Sequence, residues 1–295
     1  MIEPGTPPVI GVIGGSGVYE IDGLINTEWR QIVSPFGMPS DELLFGELDG
    51  QEIVFLPRHG RGHSVPPGRL NFRANIDALK RAGVTEILSI SAVGSLKNEY
   101  PPGHFVLVDQ FIDRTFDRKK TFFDEGCVAH ISMADPICSR LSGHLASALD
   151  DTGINYSQGG VYMVMEGPQF STRAESRLYR SWGCDVIGMT NMPEAKLARE
   201  AEMCYATVAM VTDYDCWHED HEDVTIEGVI KIMHDNADKA RALIKEVVPK
   251  LSGRGLSCNS GCHTALEYAI ITAPDARDPE TVAKLDAVAY RVLGA

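Results

Sequence analysis

The sequence lacks an excess of basic residues. Its 295 residues include 27 lysines and arginines against 41 aspartates and glutamates, so the formal net charge is −14. A chain of this charge repels the phosphate backbone of a nucleic acid and an anionic membrane surface. We therefore expect neither nucleic acid nor a membrane as a partner, and a small anion would need a local positive pocket.

Long apolar runs are also missing. No stretch of about 18 apolar residues, the length that spans a bilayer, is present. The first residues do not show the signal-peptide pattern of a basic segment before an apolar one. We therefore expect a cytoplasmic protein. Because α/β domains often exceed about 200 residues, we expect the chain to form one domain.

Cysteine is sparse and scattered. Of seven cysteines, only Cys258 and Cys262 lie close together in the sequence. This pair could form a disulfide or half of a metal site, but no second close pair of cysteines or histidines follows at the spacing of zinc ligands. A cytosolic redox environment favours free thiols. We therefore predict no metal site and mostly buried thiols.

Strand and helix patterns alternate along the chain, which predicts a single α/β domain with a central mixed, twisted sheet flanked by helices. A polar segment over 113–126 is predicted to be a long loop, a kind of segment that is often functional. Strands are predicted over 9–13, 84–92, 105–112, 161–165, 185–189 and 205–211, and helices over 70–82, 135–153, 172–183, 226–247 and 264–272, with further helices starting at 194 and 279.

A glycine-rich turn follows the first predicted strand. Its sequence, Gly14-Gly15-Ser16-Gly17, exposes backbone N–H groups and a hydroxyl to which an anion could bind. It is not a dinucleotide fingerprint, because the position of the third glycine holds Glu20, and the Gly-Lys-Ser/Thr of a P-loop is absent. The turn is consistent with phosphate binding and does not imply a nucleotide cofactor, and a plain strand end is the alternative.

The positive pocket is predicted at the end of a hairpin over 43–56, whose Asp-Gly dipeptide favours a two-residue turn. The second strand leads into Arg58 and His59, followed by Arg61 and His63. Arginine offers a bidentate fork to phosphate oxygens, and histidine a further donor. A solvated basic loop is the alternative interpretation of this segment.

The segment 166–200 contains two predicted strand ends and two predicted helix N-termini, one with a capping box between Thr172 and Glu175. Ligands of open α/β sheets bind beyond the carboxyl ends of strands, where helix N-termini favour anions. The next strand ends near Asp213 and Asp215. These carboxylates could accept hydrogen bonds from a heterocycle, or one could donate a proton if burial raises its pKa; a solvated acidic turn is the alternative.

Seven short motifs occur in order: VIGGSG at 12–17, SPFG at 34–37, PRHG at 57–60, AVGSL at 92–96, DQFIDRT at 109–115, EGP at 166–168 and DYDCW at 213–217. Together they resemble the 5'-methylthioadenosine phosphorylases, which belong to the trimeric class of purine nucleoside phosphorylases. The resemblance runs from about 9 to 250. It implies a phosphorylase domain over 1–251, with a C-terminal helical extension of the same domain over 252–295.

The resemblance also implies roles for individual residues. The phosphate site would comprise Ser16, Arg58, His59, Ser91, Ala92 and Thr190, and the purine site Phe170, Met189, Asp213 and Asp215. Ser16 and Ser91 stand where the family commonly has threonine, and their hydroxyls are expected to preserve phosphate binding. Ile226 and Ile230 would contact the 5' group, and His130 would be supplied to a neighbouring subunit of a homotrimer or of a dimer of trimers.

The implied reaction is phosphate-dependent cleavage of the N-glycosidic bond of methylthioadenosine, with phosphate as co-substrate, no cofactor and Asp213 as the acid. An aspartate at 213 favours adenine, because the 6-oxopurine phosphorylases of this class resemble one another in placing asparagine there. The alternatives are a 6-oxopurine nucleoside or methylthioinosine phosphorylase, a non-catalytic nucleoside or anion sensor, and a metal-dependent enzyme built on Cys258 and Cys262.

Overall fold

A mixed sheet of eleven strands crosses the part of the chain that the structure, a computed structural model, describes. The described residues are 7–15, 17–218, 226–252 and 258–294, with backbone only over 226–231. The strands are β1 Val9–Gly14, β2 Ile25–Arg30, β3 Leu43–Leu48, β4 Gln51–Pro57, β5 Val84–Ser95, β6 Phe105–Leu107, β7 Gln110–Asp113, β8 Tyr156–Gln158, β9 Val161–Val164, β10 Val186–Gly188 and β11 Cys204–Tyr214.

The sheet branches at β5. One path runs β2-β3-β4-β1-β5-β10-β9-β7, while β11 pairs with the other edge of β5 and continues through β6 to β8. Strands β4, β1, β5 and β11 are parallel, so their carboxyl ends lie along one edge of the sheet. The residues of β5 are almost continuously buried, as expected for a parallel strand covered on both faces.

Seven α-helices occur among the described residues, and several begin and end where the sequence predicts. Asn71 caps α1 by accepting from the backbone N–H of Ala74. The predicted capping box of α3 is present, and Gly153 ends α2 in the left-handed conformation. The helices are α1 Phe72–Arg81, α2 Ser139–Thr152, α3 Arg173–Ser181, α4 Asn191–Glu200, α5 Ile226–Leu251, α6 Pro279–Lys284 and α7 Tyr290–Leu293.

Some predicted elements differ from the structure. The hairpin is confirmed, with positive φ at both Asp49 and Gly50. The predicted helix over 264–272 is wrong: only a 3-10 turn is present at Cys262–Thr264, and Ile270 instead forms a β-bridge with Ala129. The predicted strand over 105–112 is two strands, β6 and β7, which pair with different neighbours.

Strand β11 extends three residues beyond its predicted end. The register moves from Val211 opposite Val93 to Asp213 opposite Gly94, so Thr212 is an extra residue in a β-bulge. Bulges redirect side chains and are common beside active sites. This bulge places Asp213 at the end of β11, beside the end of β5.

The C-terminal segment packs against the rest of the chain. Leu266, Leu285 and Val288 are buried in the same apolar core as strands β1, β5 and β11. The domain is thus a single α/β unit with a central mixed sheet, and the division at 251/252 remains a prediction. Within the described residues, no helix combines the length and the apolar character needed to cross a membrane.

Candidate active site

A cavity of about 590 Å³ opens at the carboxyl ends of the parallel strands. Its volume lies within the range of about 300–1,000 Å³ that is typical of small-molecule sites. Its walls are formed by the turn after β1, by the ends of β4, β5 and β11, by the segments around β10, and by α5. It brings together nine of the predicted site residues: Arg58, His59, Ser91, Ala92, Phe170, Met189, Thr190, Asp213 and Asp215.

The other four predicted site residues are not placed at the cavity. Ser16 lies outside the described residues, and so do the side chains of Ile226 and Ile230, whose backbone forms the first turns of α5. Met233 and Ala237, further along α5, do line the cavity. His130 is exposed and is not among the residues that line the cavity.

Arg58 does not present the predicted bidentate fork to the cavity. Its Nε and Nη2 donate to the two carboxylate oxygens of Glu194 at 2.9 and 3.0 Å, and its Nη1 donates to the carbonyl of Ile90 at 2.7 Å. Both charged side chains are buried. The second Nη2 hydrogen is donated to Ser89 Oγ at 2.7 Å. Arg58 therefore retains only one Nη1 hydrogen for an anion, and its charge is compensated by Glu194.

The predicted contribution of Arg61 to the pocket is wrong. Its guanidinium pairs with Asp41 and Glu42 and lies over the ring of Trp29, where it is partly exposed. Aspartate and glutamate in the polar loop before β3 provide these partners, and no sequence pattern predicts such a contact. Arg61 therefore belongs to a surface ion-pair network, which contributes little to stability.

His59 is neutral near pH 7. Its burial, together with the charge of Arg58, lowers its pKa to about 4. The Nδ1 atom lies 2.9 Å from the carbonyl oxygen of Val65, so the proton must be on Nδ1 and the unprotonated Nε2 remains an acceptor. His59 thus suits a protonated phosphate oxygen, and a bound anion would raise its pKa by favouring the charged imidazolium.

Hydroxyl groups cluster beside His59. Ser91 Oγ lies 3.0 Å from the phenol oxygen of Tyr162 and 3.5 Å from Thr190 Oγ1. Thr190 precedes the first residue of α4 and makes no side-chain capping bond. Burial raises the pKa of Tyr162 to about 12, so its phenol stays protonated. Ser91 and Thr190 line the cavity and therefore offer uncharged donors to an anion, whereas Tyr162 is fully buried and contacts the cavity only through Ser91. Tyr162 was not predicted, because a tyrosine in a strand is usually a core residue.

The two predicted carboxylates lie beside Gly94, three residues further along β5 than Ser91. Burial, reinforced by the charge of Asp215, raises the pKa of Asp213 to about 6, although the Thr212 hydroxyl donates to Asp213 Oδ2 at 2.6 Å and opposes the rise. Burial also raises the pKa of Asp215. Asp215 Oδ2 is buried and receives no hydrogen bond of normal geometry from the described residues. Both groups can therefore accept from, or share a proton with, a polar heterocycle.

A buried polar layer supports the cavity floor. Glu194 accepts from Arg58, from Ser89 Oγ at 2.7 Å and from Tyr205 at 2.9 Å, while Asn191 donates to Tyr205 at 2.7 Å. These residues fix the start of α4, which carries Thr190. Glu194 was not predicted, because a glutamate in the first turn of a helix is usually a solvated charge that favours the helix dipole.

Arg118 joins three segments of the site. Its Nη1 donates to the carbonyls of Met189 and Met192 at 2.6 and 2.8 Å, and its Nη2 to the carbonyl of Glu166 at 2.7 Å. Its Nε donates to the Glu166 carboxylate at 2.9 Å. The only sequence signal for this residue is its place in the long loop over 113–126.

The chain is similar to known proteins over nearly its whole length. The family model described as the phosphorylase superfamily matches residues 9–249. The S-methyl-5'-thioadenosine phosphorylase of Rhodospirillum rubrum is 60% identical over 294 residues, covering 100% of both chains. That of Cereibacter sphaeroides is 60% identical over 285 residues, covering 97% of this chain and 98% of its own.

Solved structures are similar as well. A methylthioadenosine phosphorylase from an Antarctic soil metagenomic library is 45% identical with a TM-score of 0.89, covering 96% of this chain and 99% of its own. The methylthioadenosine phosphorylase of Schistosoma mansoni in complex with adenine is 36% identical with a TM-score of 0.77, covering 83% of this chain and 92% of its own. The chain therefore belongs to the phosphorylase superfamily and, within it, to the methylthioadenosine phosphorylase family.

Proposed function

We propose that this protein cleaves the N-glycosidic bond of 5'-methylthioadenosine with inorganic phosphate, giving adenine and 5-methylthioribose 1-phosphate. One observation carries the proposal: a single cavity is lined both by the uncharged donors Ser91 and Thr190 and by Asp213, whose pKa is about 6. Phosphate is the co-substrate, and the reaction as written needs no cofactor.

Phosphate would bind near His59, Ser91 and Thr190, with backbone N–H groups around Ala92 as further donors. One phosphate oxygen attacks C1' of the ribose as the bond from C1' to N9 breaks, and the bond electrons pass into the purine. The ribosyl group develops positive charge in the transition state, as in glycoside hydrolysis. The anion is therefore both nucleophile and counter-charge.

Asp213 would protonate, or share a proton with, purine N7 and so improve the leaving group. A pKa of about 6 leaves part of the free enzyme protonated near neutral pH, and a purine that displaces water would raise it further. Asp215, with its unpartnered oxygen, would accept a hydrogen bond from the 6-amino group. Phe170 and Met189 would contact the purine faces, with Met189 also against the ribose.

The proposed 5' contacts come from α5. Met233 and Ala237 line the cavity, and Ile226 and Ile230 precede them at helical spacing in the sequence. Such apolar residues suit a methylthio group better than a hydroxyl, because a hydroxyl buried among them would lose its hydrogen bonds to water.

The proposal is tested with a substrate panel. Methylthioadenosine, adenosine, inosine and methylthioinosine are each incubated with and without phosphate, and base release is measured. We expect phosphate-dependent release of adenine from methylthioadenosine to have the highest kcat/KM. Preference for either oxopurine substrate would assign the runner-up activity instead, and binding without turnover would indicate a nucleoside or anion sensor.

The surface around His130 supports a homotrimer, or a dimer of trimers, as the assembly. The backbone of 128–130 is hydrogen-bonded to 269–272, and Tyr268 and Ile271 on this surface are 94% and 62% exposed. Apolar side chains this exposed are typical of interfaces. The trimer would bring His130 to the 5' end of a neighbouring subunit's site, and the predicted compartment is the cytoplasm.

A further inference from the structure

Four cysteines converge at a place that the proposed reaction does not use. The Sγ atoms of Cys138, Cys204, Cys258 and Cys262 all lie within 4.8 Å of one another. Cys138 precedes α2, and Cys204 begins β11. Cys258 and Cys262 lie in the turn at the start of the C-terminal segment over 258–294. Three of the four are buried and Cys258 is partly buried. None of them lines the active-site cavity.

The distances fit a tetrahedral metal centre. A Zn²⁺ ion with four thiolates has Zn–S bonds of about 2.3 Å, so its sulfurs are about 3.8 Å apart. In this cluster Cys138 Sγ and Cys258 Sγ are 3.5 Å apart, and no pair exceeds 4.8 Å. A disulfide, at about 2.05 Å, joins only two sulfurs and does not account for four that are mutually close.

The surroundings suit negatively charged sulfur. Cys138 is the N-cap of a 14-residue helix, and the N-terminus of a helix favours negative charge. Arg140 Nη2 donates to Cys204 Sγ at 3.5 Å. His263 Nε2 lies at the same distance from this sulfur, but His263 Nδ1 faces the carbonyl oxygen of Glu202, so Nε2 donates to a thiolate only when both ring nitrogens are protonated. Hydrogen bonds of this kind orient ligands and stabilise the charge of a metal-bound thiolate set.

We propose that Cys138, Cys204, Cys258 and Cys262 bind one structural Zn²⁺ ion, which fastens the C-terminal segment over 258–294 to α2 and β11. On binding, four thiols release four protons and form four Zn–S bonds, with no change of oxidation state and no oxidant. With four protein ligands the centre has no open position, so its role is structural and not catalytic. No second pair of ligands lies near Cys258 and Cys262 in the sequence. Cys138 and Cys204, which are 54 or more residues away, complete the set.

The test uses the full-length chain, produced without a histidine tag in zinc-supplemented medium and purified under reducing conditions. Elemental analysis is expected to give about one zinc per chain. The substitution Cys204→Ser should lose the zinc, whereas Cys184→Ser, which changes a buried cysteine outside the cluster, should keep it. Replacing the metal with Co²⁺ should give the charge-transfer and tetrahedral d–d bands of a thiolate site.

Removing the zinc from the wild-type chain with a chelator and reductant should lower Tm by on the order of 5–10 °C, while the remaining folded protein keeps its turnover of methylthioadenosine. If Cys204→Ser does not fold, the zinc content and Co²⁺ spectrum of the wild type still decide the question. A reduced chain that takes up no zinc, a stoichiometric iron content, or an intact mass showing disulfides among these cysteines would overturn the proposal.

Discussion

At the scale of single residues, Asp213 and Thr212 control the chemistry that we propose. The acid must be protonated before it can assist the leaving group. Since burial raises the pKa of Asp213 to about 6, the protonated fraction of the free enzyme falls as pH rises through 6. We expect kcat/KM for methylthioadenosine to decrease above that pH, as measured by initial rates across a pH series.

Two variants make this prediction specific. Asp213→Asn should lower kcat/KM by about 10²–10⁴-fold and abolish this limb of the pH profile. Thr212→Val removes the hydroxyl that stabilises the charged carboxylate, so the limb should move to higher pH. Full turnover by Asp213→Asn, or a limb that stays in place in Thr212→Val, would contradict the role of Asp213.

The buried pair of Arg58 and Glu194 allows a second prediction. Glu194→Gln leaves the guanidinium buried without its counter-charge, so we expect the free energy of unfolding to fall by about 3–5 kcal/mol in urea titrations. Glu246→Gln is the matched control, because the pair of Glu246 with Lys250 lies at the surface and should contribute little to the free energy of unfolding. An equal decrease in the free energy of unfolding in both variants would contradict a stabilising role of the buried pair of Arg58 and Glu194.

At the scale of secondary structure, α3 is held by its first turn. Thr172 and Glu175 satisfy each other's backbone N–H groups, and Phe170 lies two residues before the helix cap. Thr172→Ala should destabilise the protein by about 1 kcal/mol and raise KM for the nucleoside by loosening the Phe170 segment. Thr172→Ser keeps the cap and should restore both values, as measured by thermal denaturation and steady-state kinetics.

The bulge in β11 is an element that no periodicity predicts. Hydrophobic alternation identifies the strand over 205–211, but the register at Thr212 depends on pairing with β5. Likewise, a helical pattern over 264–272 is overridden because Ile270 pairs with Ala129. Local pattern therefore predicts that an element exists, and long-range pairing decides where it ends.

At the scale of the whole molecule, assembly is the open prediction. Light scattering should give a mass about three times, or six times, that of one chain. Tyr268→Glu together with Ile271→Glu should shift the protein toward the monomer by burying charge in the apolar contact. Val33→Glu, another exposed apolar position, should leave the assembly intact.

His130 connects assembly to activity. If it is supplied to a neighbouring site, His130→Ala should raise KM for methylthioadenosine while leaving the mass unchanged. If the double variant with Tyr268→Glu and Ile271→Glu is monomeric but retains the wild-type KM, then His130 of one subunit does not contribute to the site of another, and the proposal is contradicted.

Much of the fold and most of the cavity could be predicted from the sequence. Nine of the predicted site residues line one cavity. Six of them come from the ends of the parallel strands β4, β5 and β11, which meet at one edge of the sheet. Phe170, Met189 and Thr190 come from the segments around β10, which runs antiparallel to the end of β5. The supporting residues, among them Arg118, Tyr162 and Glu194, were not predicted. Their roles depend on distant partners: Arg118 pairs with Glu166 at a separation of 48 residues, Tyr162 with Ser91 at 71 and Glu194 with Arg58 at 136, and no local pattern encodes such contacts.

The sequence by itself determined the α/β class, the strand ends that carry polar groups and the resemblance to the methylthioadenosine phosphorylases, since these follow from short-range pattern and residue identity. Only the tertiary structure decided the state of those groups. In the folded protein, Arg58 is paired with Glu194, and burial keeps His59 neutral and raises the pKa of Asp213. Four cysteines that are distant in sequence also lie together. Burial and nearby charges determine the protonation state of a side chain, and proximity determines which side chains can share a metal ion. Burial and proximity arise only when segments that are distant in sequence pack together.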